Sequence, residues 1–213
     1  MLEIRNASFE EKQVIDRVAD IHLSTFQGFF LTFMGKGFLK QLYLSFCKHH
    51  ESGLLIAVED GDTVGFLAYS GDYSGLFKYM IKTSLIPFAW YSAGAFLRKP
   101  KVLMHLVRAF LKPSETSRSE KYVELSSIGV DPRCKGKGIG TQLIEALKER
   151  VDFQKYEYIT LETDAVDNDT TIRFYEKNGF FLRFANARQK QENQIKAIRG
   201  FISQKVDYIV FSP

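Results

Sequence analysis

The sequence predicts an α/β (α+β) fold: one mixed sheet flanked by helices, with a helical insertion between the third and fourth strands. Three observations carry this. Asp60-Gly61 sits between two apolar runs, residues 54–58 and 64–70, and Asp-Gly in that setting marks a hairpin with antiparallel strands. From residue 122 onward strand and helix patterns alternate, which requires parallel pairing. Between these halves, residues 73–114 break the rhythm.

Each element has its own reason. A short strand at 2–7 leads into a helix at 10–25, where Val14, Ile15, Val18 and Ile21 share one apolar face. Gly28 and Gly35 loosen the chain before a second helix at 36–49, with Phe38, Leu39, Leu42 and Phe46 on its face. After the hairpin and the insertion, a strand at 122–130 meets a glycine-rich turn and a helix at 138–153. A strand at 158–163 precedes a helix at 170–177, which Asn178-Gly179 stops. Two last strands, 180–187 and 206–211, flank a polar stretch. The chain reads as a single domain of residues 1–213, with neither repeats nor low-complexity segments.

Composition narrows the function. With 45% hydrophobic and 25% charged residues the chain is an ordinary globular protein. Two cysteines, Cys47 and Cys134, make no disulfide framework and sit in no Cys/His cluster, so no metal site is expected. The first twenty residues alternate charges and contain no signal-like apolar run, so the expected location is cytoplasmic. The net charge of +4 is too small to suggest nucleic acid. It is also unevenly placed: residues 73–114 hold seven cations, eight aromatics and no acid, leaving 22 cations against 25 anions elsewhere. The most apolar part of this insertion, 83–97, is shorter than the ~20 residues that cross a bilayer. It reads as helical, with Val102, Leu103, Leu106, Val107 and Phe110 on one face.

The sharpest local feature is the run Ile128-Gly129-Val130-Asp131-Pro132-Arg133-Cys134-Lys135-Gly136-Lys137-Gly138-Ile139-Gly140-Thr141. An apolar strand end, three alternate glycines and a periodic helix follow one another. Glycines let backbone N–H groups approach a ligand, and the helix start adds unpaired donors with a partial positive charge. Lys135 and Lys137 raise the potential further, so the natural guest is a diphosphate. The P-loop pattern fails, because no Gly-Lys here is followed by Ser or Thr. The dinucleotide fingerprint fails for want of its third glycine. A basic-x-x-Gly-x-Gly pattern after a Val-x-Pro strand end does fit, as Lys135-x-x-Gly138-x-Gly140. The plain alternative is a strand–helix connection rich in glycine for steric reasons.

With Asn168 and Phe174-Tyr175-Glu176-Lys177-Asn178-Gly179-Phe180 downstream, the stretch 124–180 resembles the acetyl-coenzyme A binding core of the GNAT superfamily of N-acetyltransferases. The resemblance implies a GNAT-type mixed, mostly antiparallel twisted sheet, and acetyl-CoA as co-substrate. Lys135 departs from the Arg or Gln usual there, a small change because the backbone N–H does the binding. By the same resemblance the pyrophosphate lies on the amides of Lys135, Gly136, Lys137, Gly138, Ile139 and Gly140, with Thr141 nearby. The pantetheine arm pairs with Ile128, Gly129 and Val130, Asn168 contacts the cofactor, and Tyr175 protonates the departing thiolate. Each has a structural alternative: Asn168 can cap a helix, and Tyr175 can be a packed aromatic beside Phe174.

Glu124 is the candidate general base. Alternation along a strand puts Glu124, Ser126, Ile128 and Val130 on one face, similar to the glutamate of histone-type members. A surface charge at a frayed strand end, or a water relay in its place, stays open. His22, His49, His50 and His105 read as surface or packed histidines.

The expected activity is N-acetyl transfer, by direct attack in a ternary complex, to a primary amine of a small molecule, an amino sugar being one fit to the cationic, aromatic insertion. Residues 25–33, the insertion and residues 188–205 form the acceptor side that the resemblance implies. Two other readings stay open: a non-catalytic acyl-CoA-binding regulatory module, and a membrane-surface acyltransferase with a lipid-linked acceptor. The partners expected are a small-molecule amine and no nucleic acid, with peripheral membrane contact through 73–114 and a homodimer both left open.

Overall fold

The computed structural model describes residues 1–27, 30–98, 121–163, 168–181 and 210–211. In chain order its elements are β1 (Leu2–Asn6), α1 (Lys12–Thr25), α2 (Phe30–Phe33), α3 (Lys36–Lys48), β2 (Ser52–Glu59), β3 (Asp62–Ser70) and α4 (Tyr73–Arg98). There follow β4 (Tyr122–Val130), a 3-10 turn (Pro132–Cys134), α5 (Ile139–Arg150), β5 (Tyr158–Glu162), α6 (Asp169–Lys177) and β6 (Val210–Phe211). The strands neighbour one another in chain order, β1 to β6, in a mixed sheet. The expected fold class stands, with the helical insertion α4 between β3 and β4. The contacts divide the chain into two compact units, Met1–Glu115 with Ser127–Glu149, and Thr116–Ser126 with Arg150–Pro213.

In the first unit β1 pairs antiparallel with β2, and β2 with β3 across the Asp60-Gly61 hairpin. Side-chain alternation splits this ribbon into two apolar faces. Leu54, Ile56, Phe66 and Ala68 pack under α1 and α3, whose Ile15, Val18, Ala19, Ile21, Leu39, Tyr43 and Phe46 are buried with them. Burying a side chain of this size contributes about 1.5–3 kcal/mol, so this layer dominates the unit's stability. Ile139 and Leu143 of α5 approach Gly65 from the other face. Leu76 and Met80 tie the first turns of α4 to the α1/α3 layer.

α4 runs through Pro87 and is non-helical at Ser84 (φ −135°, ψ 15°). The proline ring has no N–H and crowds the carbonyl four residues earlier, at Thr83, so the distortion appears upstream. The Thr83 hydroxyl donates to the Tyr79 carbonyl at 2.8 Å. The predicted apolar face at 102–110 lies outside the described residues.

In the second unit Tyr122, Val123, Glu124 and Leu125 of β4 pair in parallel with Tyr158, Ile159, Thr160 and Leu161 of β5. The Tyr122 and Tyr158 rings stack at 5.7 Å across that pairing. β6 adds a second parallel pairing, Leu161 with Val210 and Glu162 with Phe211. The strand predicted at 180–187 lies almost wholly outside the described residues. α6 ends where expected: the Asn178 amide group donates to the Phe174 carbonyl at 2.7 Å, and the Phe180 N–H to the Tyr175 carbonyl at 3.0 Å.

Candidate active site

The glycine-rich run leaves β4 through a fixed corner. Asp131, 4% exposed, follows the strand directly, and its N–H donates to the Val64 carbonyl of β3 at 2.8 Å. Its carboxylate caps the 3-10 turn by accepting from the Arg133 N–H at 2.9 Å, and it also accepts from Arg133 Nε at 3.1 Å and Nη2 at 2.8 Å. Arg17 of α1 closes the cluster, giving one guanidinium N–H to Asp131 and another to the Thr63 carbonyl at 3.2 Å. Arg133 first, and Arg17 with it, hold the Asp131 carboxyl far below the usual carboxylate range despite its burial. The sequence reading passed over Asp131, Arg17 and Arg133. An Asp immediately before a Pro that opens a helical turn is the signal that could have found it.

Beyond this corner the backbone opens. Gly136 and Gly138 adopt φ +86° and +76°, a left-handed region that costs a side-chain-bearing residue ~1–2 kcal/mol. No atom lies within 4 Å of where a Cβ would stand on either, so conformation rather than crowding calls for glycine. The first helical bond of α5 runs from the Gln142 N–H to the Gly138 carbonyl at 3.1 Å. The amides from Gly136 to Thr141 precede it and, among the described residues, donate to no protein acceptor. They form a run of donors at a helix start, which fits a diphosphate. Lys137 is held at this rim by Glu59, at 2.8 Å, while Lys135 is exposed. Ile139 is buried and anchors the helix beneath the turn.

Upstream, Gly129 is buried, and a Cβ there would meet the Phe66 ring at 2.8 Å and the Phe26 ring at 3.5 Å. Glycine therefore lets the α1/α3 layer close onto this strand. Ile128 and Val130 are half-buried, and the Val130 carbonyl accepts from the Thr25 hydroxyl at 3.3 Å. The end of α1, assigned from sequence to the acceptor side, thus touches β4 within the first unit.

Behind the strand lies a second polar group. His22 of α1 is 3% exposed, and its Nδ1 is 2.6 Å from the Tyr43 hydroxyl of α3. That hydroxyl lies 3.3 Å from Ser127 Oγ on β4. The His22 ring sits 4.6 Å from that of Phe26 and stacks at 6.4 Å on Phe66. Burial pushes the His22 pKa down to about 4, so the imidazole is neutral near pH 7, and it raises that of the Tyr43 phenol. Nε2 of His22 is buried without a hydrogen-bond partner among the described residues. His49, by contrast, bonds Ser52 at 2.8 Å in a tight turn.

In the second unit Glu124 is half-buried on β4. Tyr175 is the buried one of its aromatic pair, 6% exposed, with Phe174 at 5.3 Å and Phe180 at 5.6 Å. Burial raises its pKa, so the phenol keeps its proton over the working range of pH. Asn168 occupies the N-cap position of α6 but makes no side-chain cap bond; its amide donates to Thr163 Oγ1 at 2.8 Å. Among the described residues no helix is long and apolar enough to cross a membrane.

Comparisons with known proteins agree with this fold. The solved aminoglycoside N-acetyltransferase AAC(6')-Iy, in complex with CoA, is similar over 85% of this chain and 88% of its own, at TM-score 0.54 and 15% identity. An acetyltransferase of the GNAT family from Desulfovibrio desulfuricans is similar at TM-score 0.52 and 18% identity, over 86% and 87% of the two chains. An aminoglycoside acetyltransferase from a soil metagenome, solved with sisomicin, is similar at TM-score 0.50 and 13% identity, over 83% and 86%. At such identities the likeness is one of fold. A curated relative, the galactofuranose-binding protein YtfQ of Escherichia coli, is 55% identical over 38 residues. That stretch spans 18% of this chain and only 12% of the relative, too little to carry its function. The sequence pattern of the acetyltransferase (GNAT) family matches residues 15–180, and the chain belongs to that family of acetyl-CoA-dependent acetyltransferases.

Proposed function

We propose that the protein transfers the acetyl group of acetyl-CoA to a primary amine of a small molecule, with an amino sugar as the first substrate class to test. The carrying observation is the run of amides from Gly136 to Thr141 at the start of α5, without a protein acceptor among the described residues and shaped by two left-handed glycines. They hold the diphosphate, and Ile128, Gly129 and Val130 pair with the pantetheine arm. The neutral amine then attacks the thioester carbon directly. A C–N bond forms, the C–S bond breaks, the amine proton passes to Glu124 directly or through water, and Tyr175 gives its proton to the thiolate. Proton return from Glu124 to Tyr175 through solvent closes the cycle. The aminoglycoside acetyltransferases among the structural neighbours are the reason to begin with amino sugars.

Incubation with acetyl-CoA and a panel of amines, aminoglycosides first, should release free thiol. Tight acetyl-CoA binding without thiol release from any amine would leave a non-catalytic acyl-CoA-binding module. Tyr175→Phe should lower kcat by about a hundredfold while leaving acetyl-CoA affinity near wild type. An unchanged kcat would remove the acid role.

One observation favours a second reading, acylation at a membrane surface. On α4, Leu85, Ile86 and Trp90 are 58%, 82% and 77% exposed, in a segment whose charged residues are all cationic. Flotation with anionic liposomes at low salt tests it; no binding would discard this reading.

A further inference from the structure

The chain His22–Tyr43–Ser127 is not used by any step above. We propose that His22 and Tyr43 are positioning residues that aim the Ser127 hydroxyl, as a hydrogen-bond donor, at the carbonyl oxygen of the bound thioester, where negative charge develops during acetyl transfer. This rests on the reading that Ile128, Gly129 and Val130 hold the pantetheine arm.

The direction of the hydrogen bonds carries the argument. A neutral imidazole has one N–H and one bare nitrogen. Placed on Nε2, the hydrogen would be buried with no acceptor among the described residues. Placed on Nδ1, it reaches the Tyr43 oxygen at 2.6 Å, and only a lone pair is left unmet. An orphaned buried N–H is the rarer and costlier defect, so the second arrangement is favoured. Tyr43 then accepts from His22 and donates its own hydrogen to Ser127 Oγ at 3.3 Å. The Ser127 hydroxyl makes no other hydrogen bond among the described residues, and the residue is half-buried, so its O–H is left to donate outward. Three donors in series polarise one another toward β4. They bring partial positive charge to the strand without a net charge, which is what stabilising a transient oxyanion requires. Ser127 directly precedes the residues assigned to the pantetheine arm. Raised by burial, the Tyr43 pKa keeps the middle link protonated.

The test uses acetyl-CoA carrying ¹³C at the acetyl carbonyl, bound to the full chain and read by isotope-edited infrared spectroscopy. Ser127→Ala and Tyr43→Phe should each move the bound carbonyl band to higher frequency while keeping acetyl-CoA affinity within a few-fold of wild type. A band unmoved in both, with affinity retained, overturns this proposal alone. Failure of the wild-type protein to bind acetyl-CoA overturns the cofactor reading and this proposal with it. A measurement on the wild type needs no variant: ¹⁵N NMR should show His22 protonated on Nδ1 and bare on Nε2. The opposite tautomer overturns the proposal.

Discussion

Two polar clusters hold the part of β4 that runs from Ser127 to Val130, and they are of opposite kinds. At its end Asp131 is charged and filled on both oxygens, by Arg17 and by three groups of Arg133. Behind its start, His22, Tyr43 and Ser127 are neutral, linked by two contacts, and open at both ends. A closed, charged cluster spends all its hydrogen-bonding capacity within the protein, so its work is to fix backbone. An open, neutral one retains capacity for something else. The contrast separates a cluster that only fixes backbone from one that keeps hydrogen-bonding capacity.

The largest effect is expected just beyond the closed cluster. Gly138→Val should weaken acetyl-CoA binding by at least about tenfold, since the left-handed conformation at φ +76° alone costs ~1–2 kcal/mol with a side chain. Titration calorimetry reads it, and wild-type affinity would remove the diphosphate from this turn. Asp131→Asn follows. It leaves two guanidinium groups short of a carboxylate, but both reach water, with side chains 30% and 77% exposed. The cost in urea unfolding should therefore be about 2 kcal/mol, below that of a fully buried pair. Its pH dependence has a definite sign. The Asp131 pKa is depressed in the folded state, so its contribution is fully present above the unfolded value of about 3.9. The gap between wild type and variant should be constant near neutrality and close as pH falls through and below that value. A gap that stays open in acid would mean the carboxylate is not what stabilises the corner.

These two residues also mark what sequence reasoning could reach. The glycines and lysines of the turn announce themselves, because φ > 0 and close backbone approach have few other solutions. Periodicity located α1 and α3 to within a few residues, since most of their apolar faces are covered as the pattern demands. It did not show that polar residues share those faces. His22 stands four residues after Val18 and seven after Ile15, and Tyr43 stands four after Leu39, so both lie on the buried stripes. Only the fold, by stacking α1 and α3 on β4, brings them to Ser127. Asp131 was hidden for a similar reason: its partner Arg17 is 114 residues away in sequence. The short helix α2 escaped because four residues show no period. Tyr175 was placed by motif, but which of two adjacent rings faces inward is decided by packing against Phe180.

A smaller effect sharpens the comparison from its open side. Tyr43→Phe removes two hydrogen bonds between neutral groups but keeps the ring that packs at 5.0 Å on Phe66. Because the buried His22 N–H also loses its acceptor, the expected loss in urea unfolding is about 1–2 kcal/mol. No measurable loss would mean that the hydrogen bonds from His22 through Tyr43 to Ser127 are not formed in solution.

The smallest expected effect is a gain. Glu59 holds Lys137 at 2.8 Å at the rim of the turn, and Glu59 hydrogen bonding together with its charge raises the lysine pKa. The lysine side chain is 52% exposed, so the pair adds little to stability. Its consequence lies elsewhere, since the carboxylate neutralises a cation beside the place assigned to a dianionic diphosphate. Glu59→Gln should leave the unfolding midpoint nearly unchanged and tighten acetyl-CoA binding by about threefold at low salt, within the reach of one screened surface charge. That gain should shrink as ionic strength rises and the Debye length falls to about 8 Å. Weaker binding in the variant would mean that Glu59 positions Lys137 for the phosphate rather than competing with it. The rim would then belong with the closed cluster of Asp131, as a second preorganised contact.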